Sequence, residues 1–239
     1  GGPHTIQPLT QLPDITEALT LDGFTQPGAA ANTLPFPGPM DAVIQVELDC
    51  SLAPAGSDGL RVAGGSSTIR GLAVGGCEFA TAFTGVGVKL ISSGHIVEGC
   101  FVGTDASGTL DRGNWSGVMV YLSNNHVIGG TAAAARNVLS GNDRDRGAEI
   151  IGAVGSGGVG NAVHGNLIGT DISGSFGING DGYGVRVDAS LPDGNRIGGP
   201  GPGQGNVVFG GVYLERGPHT LVQGNLVGTN ATGTAGVGS

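Results

Sequence analysis

The sequence predicts an all-β protein, a right-handed parallel β-helix in which short strands wind into a tube. Three observations predict it: glycine is very frequent, one nine-residue phrase occurs three times, and aliphatic residues recur at regular spacing between the glycines. Glycine accounts for 50 of the 239 residues, which is about three times its usual share. Low-complexity chains share this composition, but periodic Val and Ile residues can bury enough apolar surface to offset the ordering cost.

The nine-residue phrase defines the repeat. Its copies span 97–105, 163–171 and 222–230. Shorter phrases, Gly-Val-x-Val or Gly-Val-x-Leu, lie before the first copy at 85–88 and between the copies at 117–120, 184–187 and 211–214. A spacing of about 60 residues then divides into three units of about 20, too short for a helical-hairpin repeat of about 33–47 residues. We therefore expect about 10 coils of roughly 20 residues, each coil being one repeat unit of a solenoid.

One β-helix domain, 1–239, accounts for the whole chain. Its opening coils, 1–58, contain a proline-rich segment from Pro27 to Met40, and regular repeats fill 59–239. Proline cannot donate a hydrogen bond to a sheet. We therefore expect this segment to form a long loop on the side of the early coils.

The pleat of a strand assigns side chains to the interior. Alternate residues point to opposite faces, so both aliphatic residues of a Gly-Val-x-Val phrase share the interior and the middle residue points outward. The middle residues Gly87, Met119, Arg186 and Tyr213 vary in size and charge, as outward positions can. The residues expected inside are Val86, Val88, Val97, Val102, Val118, Val120, Val163, Ile168, Val185, Val187, Val212, Leu214, Val222 and Val227.

Gly-Asn pairs mark corners of the coil, and their asparagines are Asn142, Asn166, Asn206 and Asn225. Glycine adopts the positive φ that a corner requires. An asparagine amide can bond the same residue one coil away, which would form a ladder. Plain turn propensity explains the pairs equally well, so both interpretations stay open. Cys100 replaces asparagine in the first copy of the phrase, so a ladder need not be continuous.

Several phrases together are similar to one known family. They are Leu-Pro-x-Ile-Thr at 12–16, Leu-Thr-Leu-Asp-Gly-x-Thr-Gln-Pro-Gly at 19–28, Thr-Ile-Arg-Gly-Leu at 68–72, and Gly-Asn-Leu-Ile-Gly-Thr-Asp at 165–171. The chain resembles bacterial right-handed parallel β-helix repeat proteins of the pectate-lyase-like superfamily over nearly its whole length. The resemblance implies a secreted or cell-surface protein, often with a longer repeat array, and it brings no catalytic motif.

Charge and hydropathy exclude some partners. The formal net charge is −9, so a nucleic-acid partner is not expected. No run reaches about 18 apolar residues, so we expect no membrane insertion, and no signal peptide is visible at the start. The third copy of the phrase closes near Ser239. We expect either an array cut mid-pattern or a rod that ends on an open coil.

The three cysteines are Cys50, Cys77 and Cys100, and none forms the Cys-x-x-Cys pair of a zinc site. Cys50 and Cys77 close phrases one coil apart. Coils about 4.8 Å apart lie within the separation that a disulfide accepts. We expect a Cys50–Cys77 disulfide, with Cys100 buried and free. Three buried, reduced cysteines are the alternative.

Catalytic signatures are lacking, so no catalytic residue is assigned. Asp143, Arg144 and Asp145 form the best local constellation for a polysaccharide lyase or hydrolase, because a hydrolase needs two carboxylates and arginine suits a sugar acid. A solvated turn whose charges pair with each other explains the same residues better. His164 aligns with Glu98 and Gln223 at an outward position, where we expect no fixed chemistry.

Two further pairs are candidates for binding. Asp105 and Asp171 occupy equal positions in two copies, so stacked carboxylates could hold Ca²⁺. The alternative is that each carboxylate closes its own turn, and no cofactor is otherwise expected. Arg186 and Tyr213 point outward on one face, where a cation and an aromatic ring could bind a carbohydrate.

Three functions fit this sequence. The one we favour is a structural or adhesive rod in a secreted or cell-surface assembly, and the others are a carbohydrate-binding face and a polysaccharide lyase or hydrolase. A solenoid leaves unpaired strand edges at its ends, and proteins usually cover such edges. The sequence shows no convincing capping helix, so we expect the ends to stack on another copy or on further β-helix repeats.

Overall fold

A computed structural model of the chain describes residues 2–142, 147–153, 155–178, 182–189 and 194–237. These ranges contain 21 short strands in three wholly parallel sheets, and their only helical segments are the 3-10 turns Gly23–Thr25, Cys50–Leu52 and Ala133–Ala135. The fold is a right-handed parallel β-helix, as the repeats predict. Among the described residues, no helix has the length and hydropathy of a membrane span.

The strands are numbered along the chain. Sheet 1 contains β1 (His4–Ile6), β3 (Val46–Asp49), β6 (Ala73–Gly75), β9 (Phe101–Val102), β12 (Val138–Leu139), β15 (Leu167–Ile168), β18 (Val207–Val208) and β21 (Leu226–Val227). Sheet 2 contains β4 (Leu60–Val62), β7 (Val86–Leu90), β10 (Ser116–Tyr121), β13 (Ala148–Ile151), β16 (Val185–Asp188) and β19 (Val212–Arg216). Sheet 3 contains β2 (Thr20–Asp22), β5 (Thr68–Arg70), β8 (Ile96–Glu98), β11 (Val127–Gly129), β14 (Ala162–His164), β17 (Arg196–Gly198) and β20 (Leu221–Gln223).

Each coil visits sheets 1, 2 and 3 in turn, and the first coil reaches sheet 2 through a bridge from Ile15 to Val62. The described residues therefore form seven coils, and β21 begins a further one. The expected number and length of the coils were wrong, because there are fewer coils and most of them are longer. Leu226 follows its register partner Val207 after a short coil, whereas a much longer coil separates His4 from its partner Val46. Loops between the short strands lengthen most coils, so each interval between copies of the nine-residue phrase holds two coils rather than three.

Three unbroken columns of aliphatic side chains fill the interior, one column for each sheet. In sheet 1 the column is Ile6, Leu48, Val74, Val102, Leu139, Ile168, Val208 and Val227. In sheet 2 it is Ile15, Val62, Leu90, Val120, Ile150, Val187 and Leu214. In sheet 3 it is Leu21, Ile69, Val97, Ile128, Val163, Ile197 and Val222. Their middle members are completely buried.

One residue expected inside lies elsewhere. Val88, not Val86, pairs with Leu60 and Val118, so the copy of the short phrase in this coil is Gly87-Val88-Lys89-Leu90. Gly87 faces the interior, because a Cβ there would lie 2.5 Å from Val102 Cγ1. Val86 therefore turns to the outer side, where it packs in a separate cluster with Met119, Ile151, Phe83 and Tyr121.

The asparagine ladder is confirmed at the corner before sheet 1. Asn166 Oδ1 accepts the backbone N–H of Asn137 at 3.2 Å and its Nδ2–H at 2.9 Å. Asn206 accepts the same pair of bonds from Asn166, and Asn225 accepts them from Asn206. Cys100 ends the ladder, since its N–H donates to Asn137 Oδ1 but its thiol offers no amide. Asn142 belongs to another corner, where its Oδ1 accepts from Asn114 Nδ2 at 3.1 Å.

Histidines take the place of asparagine at the corner before sheet 3. His126 Nδ1 accepts the N–H of His95 at 3.1 Å, and Asn161 Oδ1 accepts the N–H of His126 at 3.0 Å. Serine hydroxyls bond the other ring nitrogens, Ser92 on His95 and Ser123 on His126. The two rings stack with centroids 5.3 Å apart. Burial, with a smaller contribution from the neighbouring His95, lowers the pKa of His126 to about 3.

The proline-rich segment forms a hairpin that reaches far along the tube. We call residues 27–45 the side hairpin, and its arms join through a bridge between Ala30 and Val43. Its tip does not stay beside the early coils, as we expected, because Met40 N–H donates to Ile172 O at 2.9 Å. The hairpin covers an apolar stripe on the outer face of sheet 1, formed by Ala73, Phe101, Val138, Leu167 and Val207.

Arg136 anchors the tip of the side hairpin. Its guanidinium is buried and donates to the carbonyls of Leu34 and Pro39 at 3.0 Å, and of Gly38 at 2.8 Å. Its Nε–H donates to Gly165 O at 2.9 Å. Burial lowers the pKa of Arg136 to about 10, so the side chain stays charged at pH 7. Backbone carbonyls, not a carboxylate, therefore solvate this buried cation.

Replacement of Arg136 tests this anchor. Arg136→Met leaves the buried carbonyls of Gly38 and Gly165 without this donor, and an orphaned buried acceptor costs about 1–3 kcal/mol. We expect the free energy of unfolding to fall by at least ~2 kcal/mol. Urea denaturation measures it, with exposed Arg112→Met as the matched control. Equal effects of the two substitutions would contradict the anchor.

Burial of His126 makes the folding stability depend on pH. An unfolded histidine titrates near a pKa of ~6.5, whereas folded His126 titrates at about 3. Between these pH values His126 is protonated in the unfolded chain but stays neutral in the folded chain, so the free energy of unfolding falls as the pH drops below ~6.5. At pH 5 the loss is about 2 kcal/mol.

His126→Asn keeps an acceptor for the N–H of His95, as Asn161 does one coil later. Urea denaturation at pH 7 and at pH 5 measures how much the free energy of unfolding falls on acidification. We expect this fall to be smaller in the variant than in the wild type by most of the His126 contribution. His219→Asn, at an exposed histidine, is the control. A pH dependence that is unchanged in His126→Asn would show that other groups cause it.

Candidate functional site

The outer face of sheet 2 carries the predicted ligand-binding pair. Arg186 and Tyr213 are register partners on neighbouring strands, so the structure brings them together. The same outward column continues through Glu149 and Met119 to Lys89. Loops cover its middle, so that Glu149 and Met119 are fully buried and Lys89 nearly so. The column ends at Arg61, which is partly exposed and pairs with Asp14. Among the residues that the structure describes, the column is therefore open to solvent at its Arg186 and Arg61 ends.

Carboxylates occupy most of the Arg186 guanidinium. Its nitrogens bond Glu149 Oε1 at 2.8 Å, Asp188 Oδ2 at 3.0 Å, and Glu215 Oε2. Arg216 adds a second cation by pairing with Asp188. Because three carboxylates already bind the Arg186 guanidinium, Arg186 is a poor receptor for the acid group of a sugar. The cluster instead ties strands β13, β16 and β19 together on their outer side.

Tyr213 stacks on Tyr183, with ring centroids 4.2 Å apart and planes 13° apart. Both rings are partly exposed, at 37% and 41% respectively. Stacked, exposed aromatic rings suit the apolar face of a sugar. The carbohydrate-binding role of this face stays a prediction.

Asp105 and Asp171 each close their own turn. Asp105 Oδ1 accepts from Ser107 Oγ and from the N–H groups of Thr109 and Leu110. Asp171 makes the equivalent bonds with Ser173, Ser175 and Phe176. The turns stack through alternate coils, since Ile172 N–H donates to Gly108 O at 2.9 Å. Within the described ranges no three acidic, cysteine or histidine residues group as metal ligands, and the Ca²⁺ site stays a prediction.

The predicted catalytic constellation of Asp143, Arg144 and Asp145 lies outside the described residues. It follows Asn142, whose side chain bonds the carbonyl of Val102 at 3.2 Å.

The cysteines stand where the repeats place them. Asp49 and Gly75 are register partners, so Cys50 and Cys77 follow adjacent strands of sheet 1. All three cysteines are buried and free in the structure, which therefore lacks the Cys50–Cys77 disulfide. A hydrogen bond with Cys50, together with burial, raises the pKa of Cys77 well above its ordinary value. Burial also raises the pKa of Cys100 to about 12. The two neighbouring thiols remain positioned to pair under oxidation, so the disulfide stays a prediction.

Sequence reasoning missed a cavity on the outer face of sheet 3. It has a volume of about 210 Å³ and is lined by His164, Arg196, Gly198, Gly199, Pro200, Gln204, Leu221 and Gln223. Strands β14, β17 and β20 supply its walls, and the loop at 199–205 supplies its rim. The sequence signal for it is weak, because the alignment of His164 with Glu98 and Gln223 shows only that the position faces outward.

Comparisons of the chain with protein-family models, with curated proteins and with solved structures give no match.

Thiol reactivity tests the arrangement of the cysteines. Burial and the raised pKa values of Cys77 and Cys100 keep these thiols protonated, and only thiolates react readily with alkylating reagents. We expect no alkylation in the native protein at neutral pH. In denaturant without reductant, mass spectrometry should find only Cys100 labelled if Cys50 and Cys77 pair. Labelling of all three would refute the disulfide, and labelling before denaturation would refute the burial.

Proposed function

We propose that the chain is a structural scaffold that lengthens by stacking coils, with its C-terminal coil receiving the N-terminal coil of a second copy. The observation that carries the proposal is the exposure of interior residues at the C-terminal face. Leu214, Val222 and Val227 are 42%, 40% and 49% exposed. Their partners one coil earlier, Val187, Ile197 and Val208, are completely buried. The interior columns thus continue to this face uncovered.

The N-terminal face offers a matching surface. Its residues on the same three columns are Ile6, Ile15 and Leu21, aligned with Leu48, Val62 and Ile69. Because β21 already begins an eighth coil, a second copy that continues the helix would place Ile6, Ile15 and Leu21 on Leu214, Val222 and Val227 respectively. Every column would then continue with aliphatic residues, as it does between all coils inside the chain. Burial of this apolar surface supplies the free energy of association.

The backbone also favours a coil as the occupant. Strands β19, β20 and β21 each end a sheet, so one edge of each has no strand partner among the described residues. Open edges of this kind pair with further strands. The ladder of corner asparagines is directional, with each N–H donating to the next coil, and Asn225 is its last described member. A further coil would extend the strand ladders and can supply an acceptor for the N–H of Asn225.

The setting of this scaffold is part of the proposal. The repeat phrases resemble bacterial parallel β-helix repeat proteins of the pectate-lyase-like superfamily, and this resemblance supports a secreted or cell-surface location. Such a rod suits adhesion or assembly, because it presents a long outer surface on a rigid core.

Sedimentation velocity over a range of protein concentrations up to ~100 μM tests the stacking. We expect the wild-type chain to form dimers and longer rods. Val222→Glu should abolish association by placing a charge on the C-terminal face, and Ile6→Glu should do so at the N-terminal face. Each variant keeps one intact face, so an equimolar mixture should form dimers but no longer species.

Leu110→Glu is the matched control, because Leu110 is likewise an exposed apolar residue but lies on a side turn. It should associate as the wild type does. A wild-type chain that stays monomeric at the highest concentration overturns the proposal. So does a Leu110→Glu variant that is impaired as much as Val222→Glu.

A further inference from the structure

The cavity on the outer face of sheet 3 is a gap with a structural cause. Gly198 stands between His164 on β14 and Gln223 on β20 and has no side chain to fill the space. Its φ is 77°, and a Cβ there would lie 2.1 Å from Gln223 O. The position therefore requires glycine, and the coil geometry keeps the gap open.

Polar groups around this gap are left unused by the fold. His164 Nδ1 is shielded from solvent and makes no hydrogen bond of normal geometry, although backbone groups of Gln204 and Gly198 lie close enough to the ring to affect its pKa. The Arg196 side chain makes no hydrogen bond or ion pair with any described residue, although the chain carries a net charge of −9. Arg196 is exposed and needs no protein partner, but shielded polar groups are normally paired, so the unpaired ring nitrogen points to a missing ligand, and the free guanidinium beside it gives that ligand a cation to bind.

Other cavities in the described residues differ in this respect. The cavity beside Arg70 also contains Glu98, and Arg70 pairs with both Asp22 and Glu98. The cavity beside Arg112 is lined by Asp49, Glu78 and Asp111. Their cations already face carboxylates, whereas no carboxylate of the described residues lines the cavity of Arg196.

We propose that this cavity binds a small hydroxylated monocarboxylate. The planar fork of Arg196 matches a carboxylate, and one cation beside a neutral imidazole suits one negative charge. Gln204, Gln223 and His164 can bond hydroxyl groups, and Leu221 with Pro200 supplies an apolar wall for a carbon skeleton. The volume of about 210 Å³ is below the ~300 Å³ of typical drug-sized sites, so the ligand has one ring at most.

The protonation state of His164 agrees with this chemistry. Burial lowers the pKa of His164, and the charge of Arg196 acts in the same direction. Backbone groups of Gln204 and Gly198 oppose this shift only in part, so the imidazole is neutral at pH 7. A neutral imidazole offers one donor and one acceptor, which is what a hydroxyl group requires. This site does not depend on coil stacking, and its ligand test reads a different property.

Titration by NMR tests the proposal, with D-glucuronate as the probe and the His164 ring protons as the readout. His164→Gln identifies the His164 resonance among the five histidines. We expect saturable shifts with D-glucuronate below ~10 mM, weaker ones with acetate, and none with D-glucose or inorganic phosphate. Arg196→Gln should weaken binding at least tenfold.

Arg112→Gln is the matched control, because it removes the same charge from an exposed arginine away from this cavity. It should leave binding unchanged. Equal shifts with D-glucose and D-glucuronate overturn the proposal, since the carboxylate would then be irrelevant. The absence of a saturable shift with D-glucuronate, or equal loss in the two arginine variants, overturns it as well.

Discussion

The fold depends on how its corners satisfy the backbone. Between strands the chain turns, and the N–H groups there leave the parallel ladder while remaining buried. Asn166, Asn206 and Asn225 solve this by accepting two bonds each from the preceding coil. Because each amide also donates to a carbonyl of the interior column, such as Ile128 O from Asn166, the corner and the sheet keep one register. The aliphatic columns stay aligned only while this register holds.

The outer surface is held by a different device. Most strands of sheet 1 are very short, and β9, β12 and β15 have two residues each, so they offer little outer surface to pack against. The side hairpin and the stacked turns cover the stripe that Phe101 and Leu167 form there. Arg136 fastens the hairpin by bonding its backbone alone, so the attachment depends on chain geometry more than on side-chain identity. Coils that are distant in sequence are thereby joined on the outside as well as through the core.

The interior residues can be predicted from the sequence because every interior position of a stacked coil must carry an aliphatic side chain. Val88, Val118 and Val185 take the places that the pleat assigns them. Val86 fails because the pattern Gly-Val-Gly-Val can be aligned in two ways, and only the contact between Gly87 and Val102 decides. The number of coils fails for a related reason. Loops of unequal length separate similar strands, and the composition of a loop does not indicate where one coil ends and the next begins.

The outer residues escape prediction because their roles depend on neighbours that are distant in sequence. Arg186 points outward as expected, but its guanidinium forms ion pairs with Glu149 and Glu215 from adjacent coils. Arg196 stands outward in the same fold and has no such neighbours, since Ala162 and Leu221 flank it in register. Two outward arginines of the same coil therefore differ in chemistry. The interior is common to every coil, so binding capacity must arise from such outward differences between one coil and the next.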